Sequence, residues 1–174
     1  MALNPFVIWL NGFAGSGKST ICRALYDRLK PKIPNLVYID GDEFREILSK
    51  EQKYDKNSRI KVAKKKAILC KILSSQGINV ICSGISLFKE NYDFNRAQIP
   101  NLVEIYIKCD FDELVRRDQK GLYSGAINGK IKEVVGVDIE FDEPKADLVI
   151  DNSKQANLDK KIDKILYFLS QKNG

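Results

Sequence analysis

The chain has 174 residues, 44% of them hydrophobic and 30% charged, and 29 basic against 23 acidic side chains leave a net charge of +6. That balance describes one globular domain (1–174) with a real core rather than a disordered or membrane-embedded chain, and the basic excess favours anionic partners. Histidine is absent, which excludes Ser-His-Asp and Cys-His catalysis and every histidine metal site, and the four cysteines (Cys22, Cys70, Cys82, Cys109) form no CxxC pair, so zinc-ribbon and thioredoxin readings fail and reduced cytoplasmic thiols are expected.

The first apolar run, at 6–10, is too short for a signal-peptide core and has no basic leader, and no segment approaches the ~20 apolar residues of a membrane span. Read as a strand, it is followed by β-rich runs at 36–40, 78–83, 102–107 and 148–150. Helical spacing lies between them. Residues 19–30 carry Ile21, Leu25 and Leu29 on one face. Residues 58–76 carry Ile60, Ala63, Ala67, Leu69, Cys70 and Leu73, and 155–170 carry Leu158, Ile162, Ile165, Leu166 and Leu169. A short charged helix fits 111–117. Strand and helix alternating at this rhythm predict an α/β three-layer sandwich around a mostly parallel five-stranded sheet. Residues 118–146 resist assignment; their glycines (Gly121, Gly125, Gly129, Gly136) among charges predict a mobile lid over about 118–140.

Between the first strand and the first helix, Gly12-Phe13-Ala14-Gly15-Ser16-Gly17-Lys18-Ser19 matches GxxxxGK[ST], with Thr20 following. The flanks are the strand and helix that a phosphate-binding loop needs, so the fold class is of the P-loop NTPase type. The glycines let backbone N–H groups converge on phosphate oxygens, and the helix adds its positive end. Lys18 is placed to reach the β- and γ-phosphates and Ser19 to help hold Mg²⁺. The loop specifies a nucleoside triphosphate and no more. No NKxD segment is present for a GTPase, and 174 residues are short for a nucleic-acid motor, which leaves a kinase of a small acceptor as the economical reading.

Asp40-Gly41-Asp42 ends the second strand, where ligands gather in open parallel sheets. A carboxylate there can hold Mg²⁺ or take a hydroxyl proton. Arg45 follows one helical turn after Asp42, placed for an anionic acceptor. Asp42 also reads as a plain helix N-cap. Ser83-Gly84-Ile85-Ser86 ends the third strand and enters the same crevice, or caps a helix. Seven basic residues and no acid occupy 56–71, so the other residues sum to −1. That run reads as a solvated helix face, as a positive wall towards a phosphate-rich ligand, or as a duplex-binding patch.

These motifs together resemble the adenylylsulfate (APS) kinase family over nearly the whole chain. The family's GLSGSGKST is similar to 12–20, its DGDNVR to 40–45, its FSxxDR to 54–59 and its SxISP to 83–87. Its RDxKGLY resembles 117–123, the most specific match, and its GxxxxTGID resembles 129–138. The resemblance implies transfer from ATP to the 3′-hydroxyl of a nucleotide whose 5′-phosphate carries a second acidic group. It implies Asp40 as base and metal candidate, Arg45 and Arg59 as acceptor ligands, Arg117 beside the ATP adenine and Lys120 near the transferred phosphate. Ser86 falls where bacterial relatives are assigned a phosphoserine. Direct in-line transfer needs only positioning and charge neutralisation, so Ser86 is read, with Ile85 and Asp42, as an acceptor contact. The resemblance makes the basic run functional around Arg59 and leaves Lys66 and Lys71 solvated.

Departures from the family pattern gather in the acceptor pocket. The family's Asp, Asn and Arg-Arg of FSxxDRxxNIRR become Ser58, Val62 and Lys64-Lys65, and its SxISPYR ends as Leu87, Phe88 and Lys89. The Phe that stacks on the acceptor's adenine is replaced by Val134, while Tyr54 keeps the opposing aromatic. A ring clamp trimmed on one side suits a pyrimidine. The branch that phosphorylates cytidine diphosphoramidate in capsule phosphoramidate synthesis therefore fits best, ahead of APS itself and of a non-catalytic nucleotide-binding paralogue. The expected partners are a small nucleotide acceptor, ATP and Mg²⁺, with no nucleic acid and no membrane, and a homodimer as a candidate assembly.

Overall fold

The computed structural model describes residues 5–48 and 53–172. Five parallel strands form one sheet in the order β2-β3-β1-β4-β5, with β1 (Val7–Asn11) central. β2 is Leu36–Ile39, β3 Asn79–Gly84, β4 Leu102–Lys108 and β5 Leu148–Asp151. β1 is buried along its whole length, as an apolar run in the middle of a parallel sheet must be. Its side chains alternate between two cores. Ile8 and Leu10 face helix α1 (Lys18–Leu29) and helix α7 (Leu158–Lys172), whose Ile21, Leu25, Ile162 and Ile165 complete one layer. Val7 and Trp9 face helix α3 (Lys56–Ser75), which supplies Ala67 and Cys70. The sandwich therefore has the three layers that the alternation of strands and helices predicts.

α3 starts two residues before its apolar period because Asp55 caps it, accepting the Ser58 N–H at 3.0 Å. Helix α4 (Lys89–Gln98) was not apparent from the sequence. The residues it buries are Asn91 and Asn95, and Phe94 alone adds an apolar contact to the core, so a hydrophobic period is missing. Helix α2 (Gly41–Leu48) buries Phe44 alone. Within 118–140 lie helix α5's left-handed exit at Asp118 (α5 is Phe111–Arg117), a 3-10 turn at Gln119–Gly121 and helix α6 (Leu122–Ile127). This segment lies on a third apolar cluster, with Tyr123, Val134 and Val135 packed among Phe13, Leu87, Phe88 and Leu114. Among the described residues no helix is long and apolar enough to cross a membrane.

One buried carboxylate makes the sheet's stability depend on pH. Glu104 of β4 is paired with Arg96 at 2.8 Å, yet its Oε1 has no partner among the described residues. Burial pushes its carboxyl up to about 7 against the pull of Arg96, and Asp147, which shares Arg96, adds to the rise. A raised carboxyl pKa means that the folded chain holds a proton the unfolded chain has released, so stability falls as pH rises from about 4.5 to about 7. Glu104→Gln is expected to flatten that part of the Tm-against-pH curve. A wild-type slope retained in the variant would place its origin elsewhere.

Candidate active site

The strand registers bring three loops to one edge of the sheet. Asn11 of β1 is level with Gly84 of β3, and Ile39 of β2 with Cys82. The phosphate loop, Asp40 and Ser83–Ser86 therefore leave the sheet side by side at its carboxyl end, where parallel sheets bind ligands. They line a cleft of about 460 Å³ together with Lys18, Ser19, Arg45, Tyr54, Arg59 and Lys120. Asp42, Ile85, Ser86 and Val134 line it too.

The loop is built for an anion. Gly17 has φ +91°, and a Cβ there would overlap Asn152 Nδ2, which donates to the Ser16 carbonyl at 2.7 Å. Only glycine permits that turn. α1 has no side-chain cap and no acid in its first turn, so its leading N–H groups, Thr20 among them, are left for a ligand. The buried Ser16 hydroxyl has no partner among the described residues. Lys18 Nζ donates to the Phe13 carbonyl at 2.9 Å, and burial lowers its ammonium to about 8. From outside, Tyr123 Oη donates to the Ala14 carbonyl at 2.7 Å, and Phe141 meets Phe13 edge-to-face at 4.8 Å.

Arg117 grips the same loop. It donates to the carbonyls of Gly15 (3.1 Å), Asn152 (2.7 Å) and Ser153 (3.0 Å), while Glu113 accepts from its Nε at 2.8 Å. The guanidinium expected beside adenine thus spends four of its five N–H groups on bracing the loop against the turn after β5. Lys120 is exposed at the cleft, with φ +56°.

Asp40 is the most heavily bonded group in the site. Its Oδ2 accepts from Tyr38 Oη (2.8 Å), Ser19 Oγ (3.2 Å) and Ser83 Oγ (3.4 Å), and its Oδ1 accepts from the N–H groups of Asp42 (2.9 Å) and Glu43 (3.4 Å). Partial burial pushes the carboxyl up, but the bonds from Tyr38, Asp42, Glu43 and Ser19 outweigh it and hold the group below the usual carboxylate range. Asp40 therefore caps α2. The plain N-cap reading of Asp42 is corrected, since α2 starts at Gly41 and the cap is two residues earlier. Ser19 and Asp40 offer hard oxygen donors already in contact, a set that fits Mg²⁺.

At the other end of the cleft Tyr54 is 52% exposed. The guanidinium carbons of Arg45 and Arg59 lie 4.6 and 5.4 Å from its ring centre. Arg59 also donates to the Tyr54 carbonyl at 2.7 Å and to the Glu133 carbonyl at 2.9 Å, tying Tyr54 to the segment that carries Val134. Burial and the neighbouring Arg45 charge push Arg59 below the ordinary arginine range, as two like charges kept close do. Val134 is 3% exposed, its N–H held by Asp138 Oδ1 at 2.6 Å. Ser86 is buried, and its hydroxyl donates to Asn11 Oδ1 at 2.8 Å.

Lys66 contradicts the expectation of a solvated side chain. It is 3% exposed, lines the cleft, donates to the Ser83 carbonyl and lies 4.5 Å from the Trp9 ring centre. α3 turns it inward because it falls seven residues after Arg59, on the same helical face. Lys71 is on the outside, bonded to Gln98 at 2.9 Å. Sequence reasoning also missed Tyr38, whose place two residues before Asp40 on one strand face was the available signal, and Asn11 and Asn152, which had none.

The family model for adenylylsulphate kinase matches residues 4–151. The cytidine diphosphoramidate kinase of Campylobacter jejuni is 56% identical over 166 residues, covering 95% of this chain and 97% of the relative. The adenylyl-sulfate kinase of Bacillus velezensis is 38% identical over 151 residues, covering 85% and 77%. The Mycobacterium tuberculosis APS kinase solved with AMPPNP and APS superposes with a TM-score of 0.86 at 25% identity, covering 96% and 98%. With a phosphate loop, an aspartate that caps α2 and a pair of arginines at the far end of the cleft, the chain is a kinase and belongs to the adenylylsulphate kinase family.

Proposed function

We propose that the protein transfers the γ-phosphoryl group of ATP to the ribose 3′-hydroxyl of a nucleoside 5′-phosphate anhydride, and that its acceptor is cytidine diphosphoramidate. The observation that carries the acceptor choice is the wall of the cleft. Tyr54 is the one aromatic among the described lining residues, and Val134 stands where the family pattern has a stacking Phe. A single-faced clamp loses least with a small pyrimidine. The Campylobacter jejuni relative named for this acceptor supports the same choice. Four buried free cysteines agree with a cytoplasmic place.

Each step falls to a group on this chain. Backbone N–H groups of the loop and Lys18 hold the phosphates, and the first turn of α1 adds its positive end. Mg²⁺ at Ser19 and Asp40 would supply charge neutralisation between the phosphate oxygens. Asp40 accepts a hydrogen bond from the 3′-hydroxyl and aims its oxygen. A carboxylate held this acidic is a weak base, which suffices where the transition state is loose and the proton leaves late. Lys18 and Lys120 offset the charge on the transferred group. Arg45 and Arg59 take the 5′-anhydride, and Ser86, its hydroxyl engaged by Asn11, forms the cleft floor as an acceptor contact rather than a phosphorylated intermediate.

Steady-state kinetics on both acceptors test this. The kcat/KM for cytidine diphosphoramidate is expected to exceed that for APS by about tenfold or more. A reversed ratio would make APS the acceptor. No ADP formed with either acceptor would favour a non-catalytic nucleotide binder. Val134→Phe restores the second face of the clamp and is expected to move the ratio towards APS by about three- to tenfold. An unchanged ratio in a variant of wild-type Tm would remove stacking as the determinant.

A further inference from the structure

The cleft floor holds a buried cation that forms no ion pair among the described residues. Lys66 contacts the Ser83 carbonyl and the face of Trp9, and no carboxylate of the described residues pairs with it. A buried ammonium left without a counter-ion is expensive, and proteins usually neutralise or remove it. The helix that carries it arranges its surroundings. Arg59, Val62, Ala63 and Lys66 share one face of α3 and all line the cleft. Val62 and Ala63 are small and apolar, so α3 itself puts no polar side chain between the two cations on that face, which stand two helical turns or about 10 Å apart along the axis. Lys66 thus closes the floor beside Ser83, Gly84 and Ser86, while Arg45 and Arg59 stand by Tyr54.

We infer that Lys66 is a specificity-determining residue of the acceptor site, donating from the cleft floor to phosphoryl oxygens of the acceptor's anionic 5′-end. This rests on the acceptor reading above and adds to it the residue that reads charge. The anion is the counter-ion that the buried ammonium lacks, and the carbonyl of Ser83 and the ring of Trp9 hold the ammonium ready for it.

The test uses the whole protein saturated with ADP and Mg²⁺, so that the phosphate loop is filled. Calorimetry, with competition for the weaker ligand, gives the affinities of CDP and of uncharged cytidine for wild type, Lys66→Met and Lys66→Gln. Wild type is expected to prefer CDP strongly. Both variants are expected to lose about 10- to 100-fold of that preference, the worth of a charge-assisted hydrogen bond, with cytidine affinity and ATP affinity within about threefold of wild type. Because the readout is a ratio, a general loosening of the fold moves both ligands and leaves it unchanged. A CDP-to-cytidine ratio equal to that of wild type in either variant overturns the assignment and makes Lys66 a strut for β3. Wild-type protein that phosphorylates no nucleotide would sink the acceptor reading, and this inference with it. A wild type that phosphorylates an acceptor, beside variants with unaltered ratios, would sink the inference alone.

Discussion

Asp40→Asn is expected to lower kcat by about 10³-fold while leaving ATP affinity within about threefold of wild type. The reason is the division of labour between the two carboxylate oxygens. Oδ2 takes three hydroxyls, those of Tyr38, Ser19 and Ser83, and Oδ1 takes the first N–H groups of α2. An amide has one acceptor oxygen. If it keeps the cap, its NH₂ group faces three hydroxyls that must turn around; if it faces the hydroxyls, the NH₂ group opposes the backbone N–H groups of Asp42 and Glu43. Either way the negative charge that would hold Mg²⁺ and orient the acceptor oxygen is gone. The phosphate loop is anchored elsewhere, by Asn152, Arg117 and Tyr123, and has no reason to move. Turnover kinetics beside calorimetric ATP binding check this. Near-wild-type turnover would remove Asp40 from the reaction, and parallel loss of ATP binding would make it a structural group.

Gly17→Ala acts on the other half of the reaction. The residue sits at φ +91°, where an L side chain is strained, and its Cβ would occupy the space of Asn152 Nδ2. Asn152 cannot simply yield. It is buried, donates to the Ser16 carbonyl at 2.7 Å and accepts from Lys161 Nζ at 2.6 Å. The backbone must therefore shift where its N–H groups converge. Strain of this kind is worth about 1–3 kcal/mol before the collision is counted, so ATP affinity is expected to fall by about 100-fold, with a lowered Tm. Relief of the collision by adding Asn152→Ala is expected to recover part of the loss. Wild-type ATP affinity in Gly17→Ala would mean that the loop does not bind phosphate through this turn.

Different parts of this molecule were legible to different degrees, for physical reasons. The phosphate loop could be read because its chemistry needs contiguous residues between a strand and a helix. The strands could be read because a parallel sheet buries both faces and so demands unbroken apolar runs such as that at 6–10. α4 could not, because its inward side chains are Asn91 and Asn95 rather than hydrophobes. Lys66 was hidden by its neighbours. In a run of seven basic residues, composition cannot say which one turns inward, although the step of seven from Arg59 could have. The segment after Asp118 resisted assignment because the contacts that hold it are distant in sequence: Tyr123 against the Ala14 carbonyl, and Gly136 against the Phe13 ring. Arg117 shows the same effect in function. The motif marks it as important, and the structure adds that its hydrogen bonds tie the loop at Gly15 to the turn after β5.

The proposed reaction delivers a phosphoryl group to one sugar oxygen. The direct measurement is phosphorus NMR and mass analysis of the product formed from ATP, Mg²⁺ and cytidine diphosphoramidate. A new phosphomonoester coupled to the ribose 3′-proton, with one ADP released per product, is the predicted result. Phosphate on any other atom, or ADP released with inorganic phosphate and no modified nucleotide, would contradict it.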